Sequence, residues 1–263
     1  MCARLIVLIT MAGFWQCRGQ GPGNYGRIGI TPKEIPILCY HNIRETMDHH
    51  SPELTVTTKT FDDQMKMLAD SGYHTILPDQ LYDHFTKGTQ LPSKPIMLSF
   101  DDSHEEHFSI AAQEMKKYGF KGVFFVMTVA IDKPGYLTKS EIQTLARDGN
   151  TIACHTYDHP LLTKLNDKDW KKEIEEPKRL LEKITGKPVE FFAYPYGAWN
   201  EHTIEELKKE GIKAAFQLSE PEDVRNPLYT IRRVMVSDAW SMAKLNREIN
   251  TDFNQRNFAY LKK

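Results

Sequence analysis

The chain has 263 residues, of which 40% are hydrophobic, and a formal net charge of -1 at pH 7. This length and apolar content support one large domain with a substantial core. Because the charges nearly cancel, the chain has no broad basic field, and we expect no nucleic-acid partner.

The N-terminal residues are typical of an export leader. One Arg precedes an apolar stretch over residues 5–15, which is too short to span a bilayer. We predict a leader over 1–17, a Gly-rich linker over 18–34, and over 35–263 one domain with a C-terminal helical extension. The protein would then be exported to the periplasm or cell surface, and Cys17 is a candidate for lipid anchoring. The alternative for the apolar stretch is a buried helix or a frayed strand.

After the linker, short apolar runs alternate with amphipathic segments. The amphipathic segments predict helices over residues 61–70, 105–118, 140–148, 167–185 and 200–210. The apolar runs predict strands over residues 35–40, 74–77, 96–101, 122–128, 151–155, 190–194, 213–217 and 229–236. Seven or eight buried strands separated by helices indicate an α/β fold with a parallel sheet, either closed into a barrel or open.

Polar side chains gather where the predicted strands end. In parallel α/β folds the carboxyl ends of the strands carry the chemistry. The opposite ends, near Ile35, Pro95 and Gly122, offer no comparable set. The residues at or just beyond the carboxyl ends are His41, Asp101, Asp102, His155 and Tyr196.

Two histidines and two aspartates at or near these strand ends predict a metal site. His155 and His159 are four residues apart and can reach one point in space. Asp101 and Asp102 leave one strand in opposite directions, so that one can bind a metal and the other a proton. Two imidazoles and a carboxylate leave an open position for water on Zn²⁺ or a similar ion. Taken singly, each residue also fits a capping or surface role.

At these positions the chain resembles the polysaccharide deacetylases with a NodB-like domain, carbohydrate esterase family four. "SFDDS" resembles the family's Thr-Phe-Asp-Asp-Gly, "HTYDH" its His-(Ser/Thr)-x-x-His, and "YPYG" its Pro-Tyr-Gly motif. The resemblance implies a distorted (β/α) barrel and hydrolysis of an N-acetyl group on an amino sugar, or less often of an O-acetyl ester.

The resemblance also implies roles for individual residues. Asp101 is the catalytic base, and Asp102, His155 and His159 hold a divalent metal, with Zn²⁺ preferred over Co²⁺ or Ni²⁺. The backbone amide of Tyr196 contributes to an oxyanion hole.

Two residues depart from the family pattern. Ser103 replaces a glycine, and Ala193 replaces an arginine that usually steadies the base. Arg232 or Arg233 would restore the positive charge from the strand predicted over 229–236. We favour Arg233, because Val234 follows it as in related sequences that resemble this one, and a surface arginine is the alternative.

The usual general-acid histidine near the C-terminus has no counterpart, because no histidine follows residue 202. An amine leaving group must nevertheless be protonated. A closed barrel has no privileged first strand, so a circular permutation would make His41 the general acid. "LCYHNI" resembles the poly-β-1,6-N-acetylglucosamine deacetylase branch in this respect, although the spacing of His155 and His159 is shorter than in that branch.

The remaining candidates lie next to the motifs or in apolar runs. We expect Tyr157 and Trp199 to stack on a sugar face, with packing as the alternative. Thr156 is expected to orient a neighbour through its hydroxyl. Cys39 and Cys154 are expected to be small buried hydrophobic residues, and His104 and His107 to flank the helix after Asp102.

The leading hypothesis is therefore metal-dependent release of acetate from an extracellular, acetylated amino-sugar polysaccharide. The alternatives are a glycan-binding barrel with impaired catalysis, an O-acetyl esterase acting on acetylated xylan, and a hydrolase of another carbonyl or phosphoryl substrate.

Overall fold

The computed structural model describes residues 33–47, 50–218 and 221–253. The predicted leader, Cys17 and nearly all of the predicted linker lie outside the described residues. Among the described helices, none is long and apolar enough to cross a bilayer.

Eleven short strands are described. They are β1 (Ile37–Tyr40), β2 (Asn42–Arg44), β3 (Thr55–Thr57), β4 (His74–Thr75), β5 (Pro95–Phe100), β6 (Val123–Val126), β7 (Thr151–Cys154), β8 (Phe191–Ala193), β9 (Ala214–Gln217), β10 (Ile231–Arg232) and β11 (Val234–Met235). Most of them lie within the predicted strands. The predicted strand over 229–236 is divided at Arg233, and the small sheet of β2 and β3 was not predicted.

The helices surround the main sheet. They are α1 (Thr58–Asp70), α2 (Pro78–Lys87), α3 (Ala112–Lys117), α4 (Lys139–Arg147), α5 (Glu176–Thr185), α6 (Glu201–Lys209) and α7 (Met242–Arg247). π-helical turns over His107–Ala111 and Lys171–Glu175 lead into α3 and α5, and another over Glu248–Phe253 follows α7. The prediction missed α2, which begins at a proline and ends before Gly88 in the left-handed conformation.

The main sheet has the order β10-β9-β8-β7-β6-β5-β1-β11, with β4 added beside β5, and its strand pairs are parallel. The segment 231–235 holds both ends of this order together: Ile231 pairs with Phe216 of β9, and Val234 pairs with Leu38 of β1. The sheet therefore closes into a distorted barrel, which confirms the predicted fold. The first strand lies within the ring, as a permuted barrel requires, and the permutation itself stays a prediction.

Side chains alternate between the barrel interior and the layer under the helices. On β5, Met97 belongs to the inner cluster, whereas Leu98 and Phe100 belong to the outer one. The same alternation operates on β1, β7 and β10, since successive residues of a strand point to opposite faces. An inward side chain is therefore expected directly after an outward one at each strand end, and the residues in that position are His41, Asp101, His155 and Arg233.

Candidate active site

Three side chains predicted to hold a metal converge at the mouth of the barrel. Asp102 Oδ1 lies 3.4 Å from His155 Nε2 and 3.5 Å from His159 Nε2. This oxygen is buried and has no hydrogen-bond partner among the described residues. A tetrahedral ion with bonds of about 2.0–2.2 Å places its ligands about 3.4 Å apart. The three side chains therefore fit a divalent metal better than they fit direct hydrogen bonds.

The orientation of His155 is set by the neighbouring strand. Its Nδ1 lies 2.8 Å from the carbonyl oxygen of Ala193, at the end of β8. A carbonyl only accepts, so Nδ1 carries the proton and Nε2 keeps its lone pair. Such a contact is the usual way in which a metal-binding imidazole is held in the right tautomer.

The loop between the two histidines is tightly turned. Thr156 and His159 adopt left-handed conformations, with φ of 70° and 62°. The Thr156 hydroxyl accepts a hydrogen bond from the His159 amide at 2.9 Å, so it contacts the neighbour that it was expected to orient. This loop brings His159 back beside His155, and the two ring centroids are 4.9 Å apart.

The predicted base, Asp101, is paired with Arg233. Arg233 donates to both carboxylate oxygens, at 2.7 and 2.8 Å, and both side chains are buried. Burial raises the pKa of Asp101, but the Arg233 guanidinium, together with His155 and His41, outweighs it and brings the pKa to about 2. Asp101 is therefore a carboxylate at neutral pH.

The neighbouring Arg232 points the other way. It pairs with Glu34 at 2.7 Å and lies over the ring of Phe253. Strand alternation thus separates the two arginines that the sequence left as alternatives, and the structure places Arg233 on Asp101. Ala193, where an arginine is usual, lies in the inner cluster of the barrel.

The second departure, Ser103, occupies a position that favours glycine. Its φ is 66°, in the left-handed region that glycine enters at little cost. The Ser103 hydroxyl accepts a hydrogen bond from the Met127 amide at 2.8 Å. This contact with the end of β6 compensates for the less favourable backbone conformation.

His41 lies beside the base, at the carboxyl end of β1. Its Nε2 is 4.0 Å from Asp101 Oδ2, and its Nδ1 is buried without a partner in the part of the chain that the structure describes. Burial lowers the pKa of His41 below its ordinary value, because the carboxylate of Asp101 offsets only part of this effect. The imidazole is thus placed to move a proton close to Asp101.

Cys39 is closer to the chemistry than its apolar surroundings in the sequence suggest. Its Sγ lies inside the barrel, 3.6 Å from Asp101 Oδ2. Burial raises the pKa of the Cys39 thiol well above its usual range, so it stays protonated and donates to the carboxylate. Cys154 is also a buried free thiol, but it belongs to the outer cluster.

His107 supports the segment that carries His41, a role that the sequence did not reveal. Its Nε2 donates to the His41 carbonyl oxygen at 2.6 Å, and its ring packs against the stacked rings of Phe100 and Phe124. Burial lowers the pKa of His107 to about 3, so the ring is neutral. The ring of His104 meets the ring of His107 edge-on and stacks on that of Tyr136.

This neutral histidine predicts acid sensitivity. In the unfolded chain His107 binds a proton near pH 6.5, whereas in the folded protein it does so only near pH 3. Its contribution is therefore complete above pH 6.5 and is lost as the pH falls towards 3, by at most about 5 kcal/mol. In urea unfolding at a series of pH values, we expect the free energy of unfolding of His107→Gln to decrease less steeply towards acid pH than that of the wild type. The same pH dependence in both proteins would contradict the conclusion that His107 is buried in its neutral form.

Tyr196 occupies a strained turn at the rim. Its φ is 61°, its side chain is 65% exposed, and its ring meets that of His159 edge-on at 4.6 Å. The next residue, Gly197, has a φ of 70°, and a Cβ there would lie 2.7 Å from the Leu218 amide nitrogen. A side chain is excluded at residue 197, which explains the glycine after the tyrosine.

The two aromatic residues expected to stack on sugar have other contacts. Lys172 Nζ lies 4.7 Å from the centre of the Tyr157 ring. Trp199 packs against the outer cluster, and its indole nitrogen is buried. Trp199 therefore packs against the core, as the alternative interpretation predicted. Stacking of either ring on a sugar stays a prediction.

Comparisons with known proteins agree with this geometry. The family model described as polysaccharide deacetylase matches residues 88–215. YxkH of Bacillus subtilis, named as a polysaccharide deacetylase, is 29% identical over 211 residues, which cover 80% of this chain and 74% of YxkH. The poly-β-1,6-N-acetyl-D-glucosamine N-deacetylase of Staphylococcus aureus is 27% identical over 201 residues, which cover 70% of this chain and 68% of that protein.

A solved structure shows the same likeness over a whole chain. The Streptococcus pyogenes deacetylase PplD, determined in complex with acetate, superimposes with a TM-score of 0.77 at 26% identity, covering 83% of this chain and 99% of PplD. The motif residues, their convergence at one end of a closed parallel barrel, and these matches lead to one conclusion: residues 88–215 belong to the polysaccharide deacetylase family, and the chain as a whole is similar to proteins named as its members.

Proposed function

We propose that the protein is a metal-dependent deacetylase that removes N-acetyl groups from an extracellular amino-sugar polysaccharide and releases acetate. The observation that carries this proposal is the convergence of Asp102, His155 and His159 beside a carboxylate kept ionised by Arg233. A poly-β-1,6-linked N-acetylglucosamine polymer is the first substrate to test, because a relative is named for that activity.

A divalent ion, with Zn²⁺ preferred over Co²⁺ and Ni²⁺, supplies Lewis-acid chemistry: it lowers the pKa of water and polarises a carbonyl. The chain's own residues do the rest. Asp101, a carboxylate at neutral pH, accepts the proton of the attacking water. Arg233 holds both oxygens of Asp101 in place, and the Cys39 thiol donates to one of them.

The later steps involve Tyr196 and His41. The backbone amide of Tyr196, on the turn at the rim, stabilises negative charge on the former carbonyl oxygen. When the carbon–nitrogen bond breaks, protonated His41 gives its proton to the amine nitrogen. The products are acetate and a free amino group on the sugar. The exposed ring of Tyr196 offers a surface for the neighbouring sugar.

Export is part of this proposal. A polymer outside the cell requires an enzyme in the periplasm or at the cell surface, and the leader over 1–17 supplies the route. A lipid on Cys17 would hold the enzyme at the membrane.

One experiment tests substrate and metal together. Acetate release is measured on β-1,6-linked N-acetylglucosamine polymer, chitin oligomers, peptidoglycan and acetylxylan, before and after treatment with a chelator. We expect release from an N-acetylated polymer, its loss on chelation, and its return with Zn²⁺ or Co²⁺. As a control, Asp102→Asn should not regain activity with added metal. Full activity of the metal-free protein, or release from acetylxylan alone, would contradict the proposal.

A further inference from the structure

Glu173 is a buried acid that lies outside the three motifs. It belongs to the π-helical turn that leads into α5, and only 2% of its surface is exposed. Acidic side chains are seldom so deeply buried without partners that use their charge.

The partners of Glu173 are in the loop that carries the metal histidines. Its Oε2 accepts hydrogen bonds from the amides of Tyr157 and Asp158, at 3.2 and 3.3 Å. Its Oε1 lies 2.9 Å from Lys172 Nζ, which also pairs with the Asp158 carboxylate at 2.7 Å. One carboxylate oxygen therefore holds two consecutive amides between His155 and His159.

The other side of the same loop is held by backbone groups. The carbonyl oxygens of Thr156 and Tyr157 accept hydrogen bonds from the amides of Thr128 and Val129. These contacts hold the loop against the short helical turn after β6, whereas Glu173 holds it from the side of α5. A carboxylate is a stronger acceptor for an amide than a neutral group is.

The loop requires such support because its conformation is costly. The left-handed conformations of Thr156 and His159 persist only where surrounding contacts stabilise them. The position of the His159 imidazole relative to Asp102 depends directly on the backbone between residues 156 and 159. A small displacement there would change the 3.5 Å separation between the two ligand atoms.

We propose that Glu173 is a positioning residue for the metal site: its buried carboxylate holds the amides of Tyr157 and Asp158 and thereby sets the spacing of the two metal histidines. This role rests on the proposed metal dependence. It does not require Glu173 to contact metal or substrate.

The test compares Co²⁺ affinity among variants of the metal-free protein by competition with a chelator. Contacts that orient metal ligands are worth about 10–100-fold in affinity, so Glu173→Ala should weaken Co²⁺ binding by that factor. Glu173→Gln keeps an oxygen acceptor in the same place and should bind Co²⁺ within about fivefold of the wild type. Lys172→Met removes the partly exposed lysine that pairs with Glu173 but leaves both amide contacts, so its loss of Co²⁺ affinity should also stay below about fivefold.

Glu175→Ala is the matched control, since Glu175 lies on the same turn but pairs with Arg179 instead of the loop. A second measurement needs no metal: hydrogen exchange at the amides of Tyr157 and Asp158 should be faster in Glu173→Ala than in Glu173→Gln.

The outcomes separate the two proposals. A wild-type protein that binds neither Co²⁺ nor Zn²⁺ would overturn the proposed metal dependence. A wild type that binds Co²⁺, with Glu173→Ala unchanged or Glu173→Gln as weak as Glu173→Ala, would overturn only the role of Glu173.

If Glu173→Ala does not fold, Glu173→Asp takes its place, because its shorter side chain cannot reach both amides. Equal affinity of the Asp and Gln variants would then overturn the role.

Discussion

Replacing His41 by Ala is expected to lower turnover of an N-acetylated substrate by a factor of about 10² or more while leaving the metal bound. His41 and His155 both lie beside Asp101, but His155 is a proposed metal ligand, so His41 is the candidate to protonate the amine leaving group. Steady-state acetate release and the metal content of the purified variant are the two measurements. His202→Ala, which changes a half-exposed histidine on α6, serves as the control.

An activated ester gives this prediction a sharper form. A nitrophenolate leaves without being protonated, so the loss caused by His41→Ala should be much smaller on 4-nitrophenyl acetate than on the amide. Unchanged turnover on the amide would show that His41 is not the general acid. An equal loss on both substrates would indicate damage to the site rather than loss of an acid.

Replacing Arg233 by Met is expected to destabilise the protein by about 3–5 kcal/mol, because it leaves the Asp101 carboxylate buried without its partner. Without the guanidinium, burial would raise the pKa of Asp101, so that a larger fraction of the base is protonated and turnover falls. Urea unfolding measures the first effect, and acetate release under conditions where the variant is folded measures the second.

Arg232→Met is the matched control for activity. Arg232 has the same chemistry one residue earlier, but it pairs with Glu34 away from the site. Its loss should leave turnover unchanged, whatever it costs in stability. Arg233→Lys should keep the charge yet lose the two-pronged contact, and should therefore fall between the wild type and Arg233→Met. Similar turnover of the two Met variants would show that Arg233 does not support the base.

Much of the fold and of the site follows from local rules. Alternation of inward and outward side chains along short parallel strands brings His41, Asp101 and His155 to one mouth, and the sequence pattern contains that information. The preference for Arg233 over Arg232 came from the family pattern alone. The structure supplies the physical reason, because residue 232 pairs with Glu34 away from the site and residue 233 pairs with the buried Asp101.

Other features depend on contacts between distant segments. Glu173 lies on an amphipathic stretch where an acid usually faces water, and only the packing of α5 against the histidine loop buries it. His107 looked like a residue beside a helix, whereas a π-helical turn directs it to the His41 carbonyl oxygen. Cys39 sits in an apolar run, and its neighbour Asp101 comes from a strand 62 residues later. No local pattern encodes these three contacts.

The segment 231–235 joins the two edges of the sheet at the residue that also holds the base. The Arg233 amide donates to the Gln217 carbonyl oxygen of β9, and three residues later the Val236 amide donates to the Cys39 carbonyl oxygen of β1. Between these contacts, the Arg233 side chain spans the interior to Asp101. If segment 231–235 detaches from either edge of the sheet, Asp101 is separated from Arg233 at the same time. Closure of the barrel and pairing of the base with its counter-ion are thus coupled, and a barrel opened at this segment leaves Asp101 without the contact that holds it in place.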